Sequence, residues 1–151
     1  YWLKERGIVY VEQPMPKETT KEMEWLSQHS PLPTIADEAV QRLSDLFELK
    51  NRFHGVNIKL MKCTGIREGY LMAKVAKSLG LKVMIGCMTE SSCGIAAAAQ
   101  LAPLADWVDL DGHFLLADDP FEGLGFEDGA VQLSEQNGLG VFPKHLSWAD
   151  Q

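Results

Sequence analysis

Three features are missing from this sequence, and each absence argues against a class of protein. No apolar run approaches the roughly 20 residues that a membrane-spanning helix needs, and no signal peptide opens the chain. No cluster of Lys and Arg offsets the formal net charge of −7, which argues against a nucleic-acid surface. The three cysteines (Cys63, Cys87 and Cys93) form no C-x-x-C pair, so neither a disulfide framework nor a zinc site is expected. The default expectation is a cytoplasmic protein with no nucleic-acid or membrane partner.

What the sequence does contain is a series of five short apolar runs, each with a polar side chain at or near its end. The first run, Ile8–Val11, is largely β-branched and predicts a buried strand that stops at Glu12. The other runs are 34–36, 56–58, 83–85 and 107–111, and their polar side chains are Asp37, Lys59, Cys87 and Asp109. Counted from Glu12, these side chains follow one another at intervals of 22 to 28 residues, which is the length of one strand-plus-helix unit.

Five consecutive strand-plus-helix units predict an α/β fold with a parallel sheet. Helices are expected over about 19–29 and 40–51, between Gly65 and Gly80, and from Ser91 or Ser92 onward. An open doubly wound sheet would fit, but no G-x-G-x-x-G or Walker sequence accompanies it. Polar residues at every strand end favour a partial, TIM-like (β/α)-barrel with its site at the carboxyl ends of the strands. Five units cannot close an eight-stranded barrel, so either three strands lie upstream or the barrel interpretation is wrong.

The strand-plus-helix pattern stops after residue 112. We therefore assign residues 1–112 to the barrel and residues 113–151 to a C-terminal tail that packs outside it. The tail is rich in turn residues, and one strand is expected near 130–133. It carries no recognisable chemistry.

The strand-end residues have both functional and structural explanations at this stage. Glu12 and Asp37 offer the carboxylate oxygens that Mg²⁺ prefers, although each could merely cap the following loop. Lys59 could act as a base if burial near other cations lowered its pKa, or it could form a structural ion pair. Asp109 and Asp111 should point to one side of a strand. There they suit a second metal or an organic ammonium group, or they cap the following loop.

The cysteine and histidine side chains suggest no further chemistry. Cys87 fits a small pocket-lining residue better than a nucleophile, because no partner base is identifiable. The histidines show no metal-ligand spacing, so we assign all four to loops and the surface: His29, His54, His113 and His145.

The strand-end motifs, taken in order, resemble those of the muconate-lactonizing subgroup of the enolase superfamily. The matching segments are VEQP at 11–14, ADE at 36–38, NIKLMK at 57–62, GCMTES at 86–91 and DLDG at 109–112. The resemblance covers essentially the whole chain. It implies strands four to eight of an enolase-type modified barrel, followed by the C-terminal tail. The Asp-x-Asp of the last segment is similar to that of the dipeptide epimerases within this subgroup.

The resemblance implies a chemical role for the residues that follow the first three strands. Glu12 and Asp37 would bind Mg²⁺, and Lys59 would be one of two acid/base lysines. The implied reaction is epimerisation of a dipeptide, by 1,1-proton transfer at the α-carbon of its C-terminal residue through an enediolate intermediate. The first metal aspartate, the second lysine and the capping domain that the family requires cannot be placed in this sequence.

The resemblance also implies how the substrate would be held. Asp109 and Asp111 would bind the α-ammonium group of the dipeptide through charge-assisted hydrogen bonds, and Cys87 would line the pocket. One alternative is an N-acylamino-acid racemase or o-succinylbenzoate synthase of the same subgroup, whose substrates have no free ammonium group. Another is a non-catalytic half-barrel that needs a partner. Association into a homo-oligomer is left open.

Overall fold

The computed structural model describes residues 1–144 of the chain. Its main strands are β1 (Val11–Glu12), β2 (Thr34–Ala36), β3 (Gly55–Lys59), β4 (Lys82–Gly86) and β5 (Trp107–Val108). The α-helices are α1 (Thr20–His29), α2 (Leu46–Leu49), α3 (Ile66–Ser78) and α4 (Ser92–Ala99). Short 3₁₀ helices cover Lys4–Arg6, Leu43–Asp45, Ala102–Leu104 and Gly112–Leu115. Across these 144 residues, no helix is both long enough and apolar enough to cross a lipid bilayer.

The five main strands form one parallel sheet in the order β1-β2-β3-β4-β5. Strands β3 and β4 share five register pairs, from Gly55–Lys82 to Lys59–Gly86. Every other neighbouring pair shares two. Each strand therefore lies beside the next strand along the chain, and the carboxyl ends of all five meet at one edge. The predicted α/β fold is confirmed.

One face of the sheet packs against the helices. Successive side chains of a strand point to opposite faces, so every second strand residue contributes to this layer. Burying an aliphatic side chain of this kind stabilises the fold by about 1.5–3 kcal/mol, so this layer holds the helices on the sheet. Its strand residues are Ala36, Val56, Ile58, Val83 and Ile85, and the helix residues in the same core include Met23, Leu46, Met72 and Ile95.

The opposite, inner face of the sheet is concave. Tyr10, which precedes β1, and Trp107 of β5 come from the two edge strands, yet their ring centroids are 4.9 Å apart. In a flat sheet these two strands would be roughly 19 Å apart, because neighbouring strands are separated by about 4.8 Å. The sheet is therefore curled like part of a barrel wall, which confirms the predicted partial (β/α)-barrel.

The tail after residue 112 forms two small antiparallel pairs. Strands β6 (Phe121–Glu122) and β9 (Phe142–Pro143) make one pair, and β7 (Gly125–Glu127) and β8 (Ala130–Gln132) make the other. The strand expected near 130–133 is thus present. Asp119 ties the tail to α4, because its carboxylate accepts the backbone N–H of Ser92 at 2.9 Å. The division at residue 112 stays a prediction, and residues 145–151, including His145, lie outside the described residues.

The first predicted strand was wrong in extent and in burial. Only Val11 and Glu12 belong to β1, while Ile8 and Val9 are 44% and 58% exposed. The cause lies in the neighbouring strand. Val11 donates its N–H to the Pro33 carbonyl, but Pro33 has no N–H with which to continue the ladder toward Val9. The fifth strand is also shorter than predicted and ends at Val108.

The helix predicted over 40–51 is reduced to one 3₁₀ turn and the four-residue helix α2. The side chain of Asp45 explains the loss. Its carboxylate accepts the backbone N–H groups of Gln41 and Arg42, each at 2.8 Å. Such local bonds compete with the helical pattern of backbone hydrogen bonds. Leu46 is still fully buried, but Phe47 is 65% exposed.

Candidate functional site

The curled sheet directs the predicted strand-end residues toward one concave edge. Glu12 is paired with Ile35, and Asn57 with Met84, which is paired in turn with Trp107. Paired residues of neighbouring strands point to the same face, so Glu12 shares the inner face with Ile35. Side chains two positions apart in a strand also share a face, so Asp37, Lys59 and Asp109 belong to the inner face too.

Tyr10 lies beneath this edge, and nearby carboxylates affect the pKa of its hydroxyl group. Burial raises the pKa of Tyr10, and the charges of Glu12 and Asp109 raise it further. The carboxylates that end the first strand and follow the last strand therefore act on the same phenol, whose ring centroid lies 4.9 Å from that of Trp107. The structure brings together residues that are almost a hundred positions apart in the chain.

Asp37 is held between two lysines. Lys59 Nζ donates to Asp37 Oδ2 at 2.7 Å, and Lys62 Nζ donates to Asp37 Oδ1 at 2.5 Å. All three side chains are largely buried, with exposed fractions of 13% for Asp37 and 14% for each lysine. Burial opposes ionisation of Asp37, but its bonds to Lys59 and Lys62 outweigh burial and leave its pKa lowered.

In this structure the pKa of Lys59 is raised rather than lowered. Burial lowers the pKa of Lys59, but the hydrogen bond and the charge of Asp37, together with the charges of Glu12 and Glu38, outweigh burial and leave the pKa raised. Burial lowers the pKa of Lys62 and there prevails over the bond to Asp37. The alternative left open for Lys59, an ion pair with a nearby carboxylate, is therefore the arrangement that the structure contains.

Lys62 was not among the predicted site residues. A turn follows β3, in which the N–H of Lys62 donates to the Lys59 carbonyl at 3.0 Å. The turn brings the second lysine of the NIKLMK segment back toward the end of the sheet. The spacing of three residues between the lysines, directly after a strand, is the sequence signal that could have found it.

Asn57 is a second site residue that the sequence interpretation missed. Its Nδ2 donates to Glu12 Oε1 at 2.6 Å, and the residue is only 2% exposed. Its Oδ1 has no hydrogen-bond partner within residues 1–144 and lies against Gly86, where an added Cβ would be 2.4 Å from that oxygen. Asn57 therefore holds one oxygen of Glu12 and depends on the bare backbone of Gly86 for its own position.

Gln13 joins the loops that follow β1 and β2. Its side-chain oxygen accepts the N–H of Asp37 at 2.9 Å and that of Ala39 at 3.2 Å, and its amide donates to the Met15 carbonyl at 2.7 Å. Its backbone has φ +34°, which non-glycine residues rarely adopt. From sequence, Gln13 only ended a strand; in the structure it fixes the backbone of Asp37.

Asp109 and Asp111 form an acidic pair at the other end of the concave edge. Burial raises the pKa of Asp109, and the neighbouring charge of Asp111 adds to this. Within residues 1–144, no donor is hydrogen-bonded to either carboxylate. Asp111 precedes the 3₁₀ helix Gly112–Leu115, but its side chain makes no capping bond there, so the loop-capping explanation is not supported.

Cys87 makes a local contact beside this pair. Its Sγ accepts the N–H of Gly112 at 3.3 Å, and its side chain packs against the main core. Burial raises the pKa of the Cys87 thiol, which argues against a nucleophile. Its role in lining a substrate pocket stays a prediction. None of the three histidines in the described part of the chain belongs to a metal-binding group: His29 ends α1, His54 accepts the Thr34 N–H, and His113 lies in a 3₁₀ helix.

The carboxylates at this edge offer the oxygen ligands that Mg²⁺ prefers. Within residues 1–144, no group of three or more His, Cys, Asp or Glu side chains is placed to hold a metal ion. Mg²⁺ commonly takes one or two protein carboxylates and completes its octahedron with waters and substrate. Among the described residues, only one oxygen of Glu12 has a protein donor, whereas Asp37 would have to release Lys59. The donor set thus fits two ligands of a Mg²⁺ site, not a complete one.

Comparisons with known proteins agree with this architecture. The family model described as "Enolase C-terminal domain-like" matches residues 2–146. The L-Ala-D/L-Glu epimerase of Bacteroides thetaiotaomicron is 52% identical to this chain over 141 residues, which are 93% of this chain and 37% of that protein. An N-acetyl-D-glutamate racemase of a Pseudoalteromonas species is 37% identical over 129 residues, which are 85% of this chain and 40% of that protein.

A solved structure shows the same fold. The dipeptide epimerase of Methylococcus capsulatus, complexed with Mg and the dipeptide L-Arg-D-Lys, is 37% identical to this chain with a TM-score of 0.86. The similarity covers 93% of this chain and 42% of that one. The chain therefore spans only 37% to 42% of the length of these three relatives.

Proposed function

This chain belongs to the enolase C-terminal domain-like family, and on that premise we propose that the protein carrying it epimerises dipeptides with Mg²⁺. The reaction would remove and return the α-proton of the C-terminal residue. One observation carries the proposal: Lys59 Nζ lies 2.7 Å from the Asp37 carboxylate, on the same concave edge as Glu12 and Asp109. The relatives named above, which include epimerases and a racemase, support it.

Lys59 is proposed as one of two acid/base groups. Its bond to Asp37 favours the ammonium form, which can deliver a proton to the α-carbon. Acting as a base requires the neutral amine, and loss of the Asp37 bond removes the main interaction that favours the charged form. Release of Lys59 from Asp37 therefore precedes proton abstraction in this proposal.

Glu12 and Asp37 would hold Mg²⁺. When bound, the ion would stabilise the negative charge that gathers on the substrate carboxylate as the α-proton leaves to give an enediolate. Asn57 would keep Glu12 in place through its bond to Oε1, and Gln13 would keep the Asp37 backbone in place.

Asp109 and Asp111 are proposed to bind the free ammonium group of the dipeptide. Their mutual repulsion contributes to the raised pKa of Asp109, so a cation between them would relieve an unfavourable interaction. A charge-assisted hydrogen bond contributes about 1.5–3 kcal/mol. This pair would therefore select substrates that carry an α-ammonium group.

The proposal concerns the whole protein, because the chain spans about two fifths of its relatives. A second acid/base group and a further metal ligand are assigned to parts that this sequence does not include. A cytoplasmic location stays a prediction from the sequence. Association into a homo-oligomer stays open.

Proton NMR in D₂O tests the activity directly. The full protein is given Mg²⁺ and a panel of dipeptides, including Ala-Glu, and loss of the α-proton of the C-terminal residue is followed. We expect exchange that EDTA abolishes and that Lys59→Met slows by about 10²–10⁴-fold, the usual contribution of a general acid or base. Lys74→Met, which removes an exposed lysine of α3, is the matched control. Undiminished exchange in Lys59→Met would contradict the assignment.

An N-acylamino-acid racemase is the second candidate, because one relative is an N-acetyl-D-glutamate racemase. Such substrates have no ammonium group for Asp109 and Asp111 to bind. We expect Asp109→Asn to raise KM for dipeptides roughly 10- to 100-fold, the equivalent of one charge-assisted bond. A protein that turns over N-acyl amino acids, with a KM unaffected by this change, would establish the second candidate instead.

A further inference from the structure

We propose that Lys62 is a positioning residue, which holds the Asp37 carboxylate for Mg²⁺ while Lys59 is released from it. This inference rests on the proposed function, in which Asp37 is a metal ligand. It assigns different tasks to two lysines that contact the same carboxylate.

The ammonium group of Lys62 is fully occupied. It donates to Asp37 Oδ1, to the Asp37 carbonyl at 2.6 Å and to the Asn57 carbonyl at 3.3 Å. An ammonium group has three N–H donors, and each has an acceptor here. Two of these acceptors are main-chain carbonyls, whose positions are set by β2 and β3 and do not depend on the rotamer of Asp37.

Lys59 is held much less firmly. Within residues 1–144, its Nζ has a single hydrogen-bond acceptor, Asp37 Oδ2. Breaking that one bond frees Lys59, whereas freeing Lys62 requires the loss of three. The two oxygens of Asp37 therefore differ: Oδ1 is fixed by Lys62, and Oδ2 can exchange Lys59 for another cation.

The turn after β3 keeps Lys62 in this position. The N–H groups of Lys62 and Cys63 both donate to the Lys59 carbonyl, at 3.0 and 3.2 Å. Cys63 is 1% exposed and fixes the turn against the core. The side chain of Lys62 is thus directed over the end of the sheet by packed backbone.

The direction in which Mg²⁺ affinity changes when Lys62 is replaced distinguishes a positioning role from a purely electrostatic one. A lysine close to a metal site repels Mg²⁺, so deleting its charge would by itself tighten metal binding. Deleting a group that orients a metal ligand weakens binding instead, typically by 10- to 100-fold. The two effects have opposite directions.

The experiment is a calorimetric titration of the full protein with Mg²⁺ alone. We expect Lys62→Met to weaken Mg²⁺ binding by roughly tenfold or more, and Lys59→Met to leave it unchanged or tighter. Lys74→Met is the matched control and should bind as the unaltered protein does. In turnover assays, Lys62→Met should need more Mg²⁺ for half-maximal rate yet recover kcat within a few-fold at saturating Mg²⁺, which a general loss of structure would not allow.

Each result has a defined meaning. Unchanged or tighter Mg²⁺ binding by Lys62→Met overturns the inference and leaves the proposed function intact. Mg²⁺ binding that is absent from the unaltered protein, or that survives Asp37→Asn, overturns the proposed function and the inference with it. Circular dichroism checks that each variant is folded. If Lys62→Met does not fold, Lys62→Gln takes its place, because it keeps one amide donor without the charge.

Discussion

The centre and the edges of the main sheet differ in strand pairing and in the burial of their valines. Strands β3 and β4 share five register pairs, and their valines Val56 and Val83 are fully buried. At the edges, β1 and β5 each share only two register pairs with a neighbour. There Val9, which lies just before β1, is 58% exposed, and Val108 of β5 is 49% exposed. The same residue type is thus core in one part of the sheet and surface in another.

This difference shows what an apolar run can and cannot predict. A run predicts that a strand is available, but the ladder forms only where a neighbour supplies donors and acceptors. The direction of a side chain is a more robust property, since it depends only on alternation. Glu12 and Asp109 therefore reach the concave edge although their strands are short.

The largest expected effect comes from removing the same two methyl groups at the centre and at the edge. Val56→Ala should lower the free energy of unfolding by about 2 kcal/mol, because it leaves a cavity in a fully packed layer. Val9→Ala should change it by less than about 0.5 kcal/mol, as is usual at exposed sites. Urea unfolding of the two variants, followed by circular dichroism, measures both.

An equal loss in the two valine variants would break the comparison. It would mean that Val9 is covered in the full protein and that the edge of this sheet behaves as core there. A small loss in Val56→Ala would show that the packing of the central strands does not limit stability.

A smaller effect is expected from Gly86→Ala in β4. The added Cβ would lie 2.4 Å from Asn57 Oδ1, so the Asn57 side chain must shift away from Glu12. Overpacking of this kind costs about 1–2 kcal/mol when the obstructing group is a side chain that can move. Mg²⁺ affinity should fall with it, because Glu12 loses its donor. Unchanged affinity would show that Asn57 does not hold Glu12 for the metal.

The sequence was sufficient for residues whose position depends on their own strand. Lys59 and Asp37 each follow an apolar run, and their position at the ends of parallel strands placed them at one edge of the sheet. The parallel sheet followed from the repeated strand-plus-helix length. These features depend on contacts close in the chain, which a single sequence displays.

The missed residues depend on contacts between distant segments. Asn57 reads as an ordinary strand residue until β1 brings Glu12 beside it, 45 positions away. Gln13 acts on the backbone of Asp37, 24 positions away. Lys62 contacts Asp37, 25 positions away, only because the turn after β3 brings its side chain back over the end of the sheet. The lost helix at 40–51 has a local cause instead, because the Asp45 side chain binds the N–H groups of Gln41 and Arg42.

The smallest expected effect concerns two exposed ion pairs, one near the centre of the sheet and one at its edge. Arg42 donates twice to Glu68, at 2.8 and 2.9 Å, and joins the loop after β2 to α3. These bonds, with the N–H of Leu43, lower the pKa of Glu68 to about 2. At the edge, Lys82 and the N–H of Val83 bond to Asp106. They outweigh partial burial and leave its pKa lowered too.

The sign of the pH dependence follows from these shifts. A carboxylate with a lowered folded-state pKa contributes stability above its unfolded pKa, and this contribution is lost as the pH falls through the folded value. For Glu68 the loss should extend from about pH 4.5 to about pH 2. The urea midpoint of unfolding should fall between pH 5 and about pH 2.5 in the unaltered protein. Glu68→Gln should reduce this fall more than Asp106→Asn does. Because both pairs are open to solvent, the differences will be small and should shrink further in high salt. If both variants reduced the fall of the urea midpoint equally, the two bonds of Arg42 to Glu68 would stabilise the protein no more than the single bond of Lys82 to Asp106.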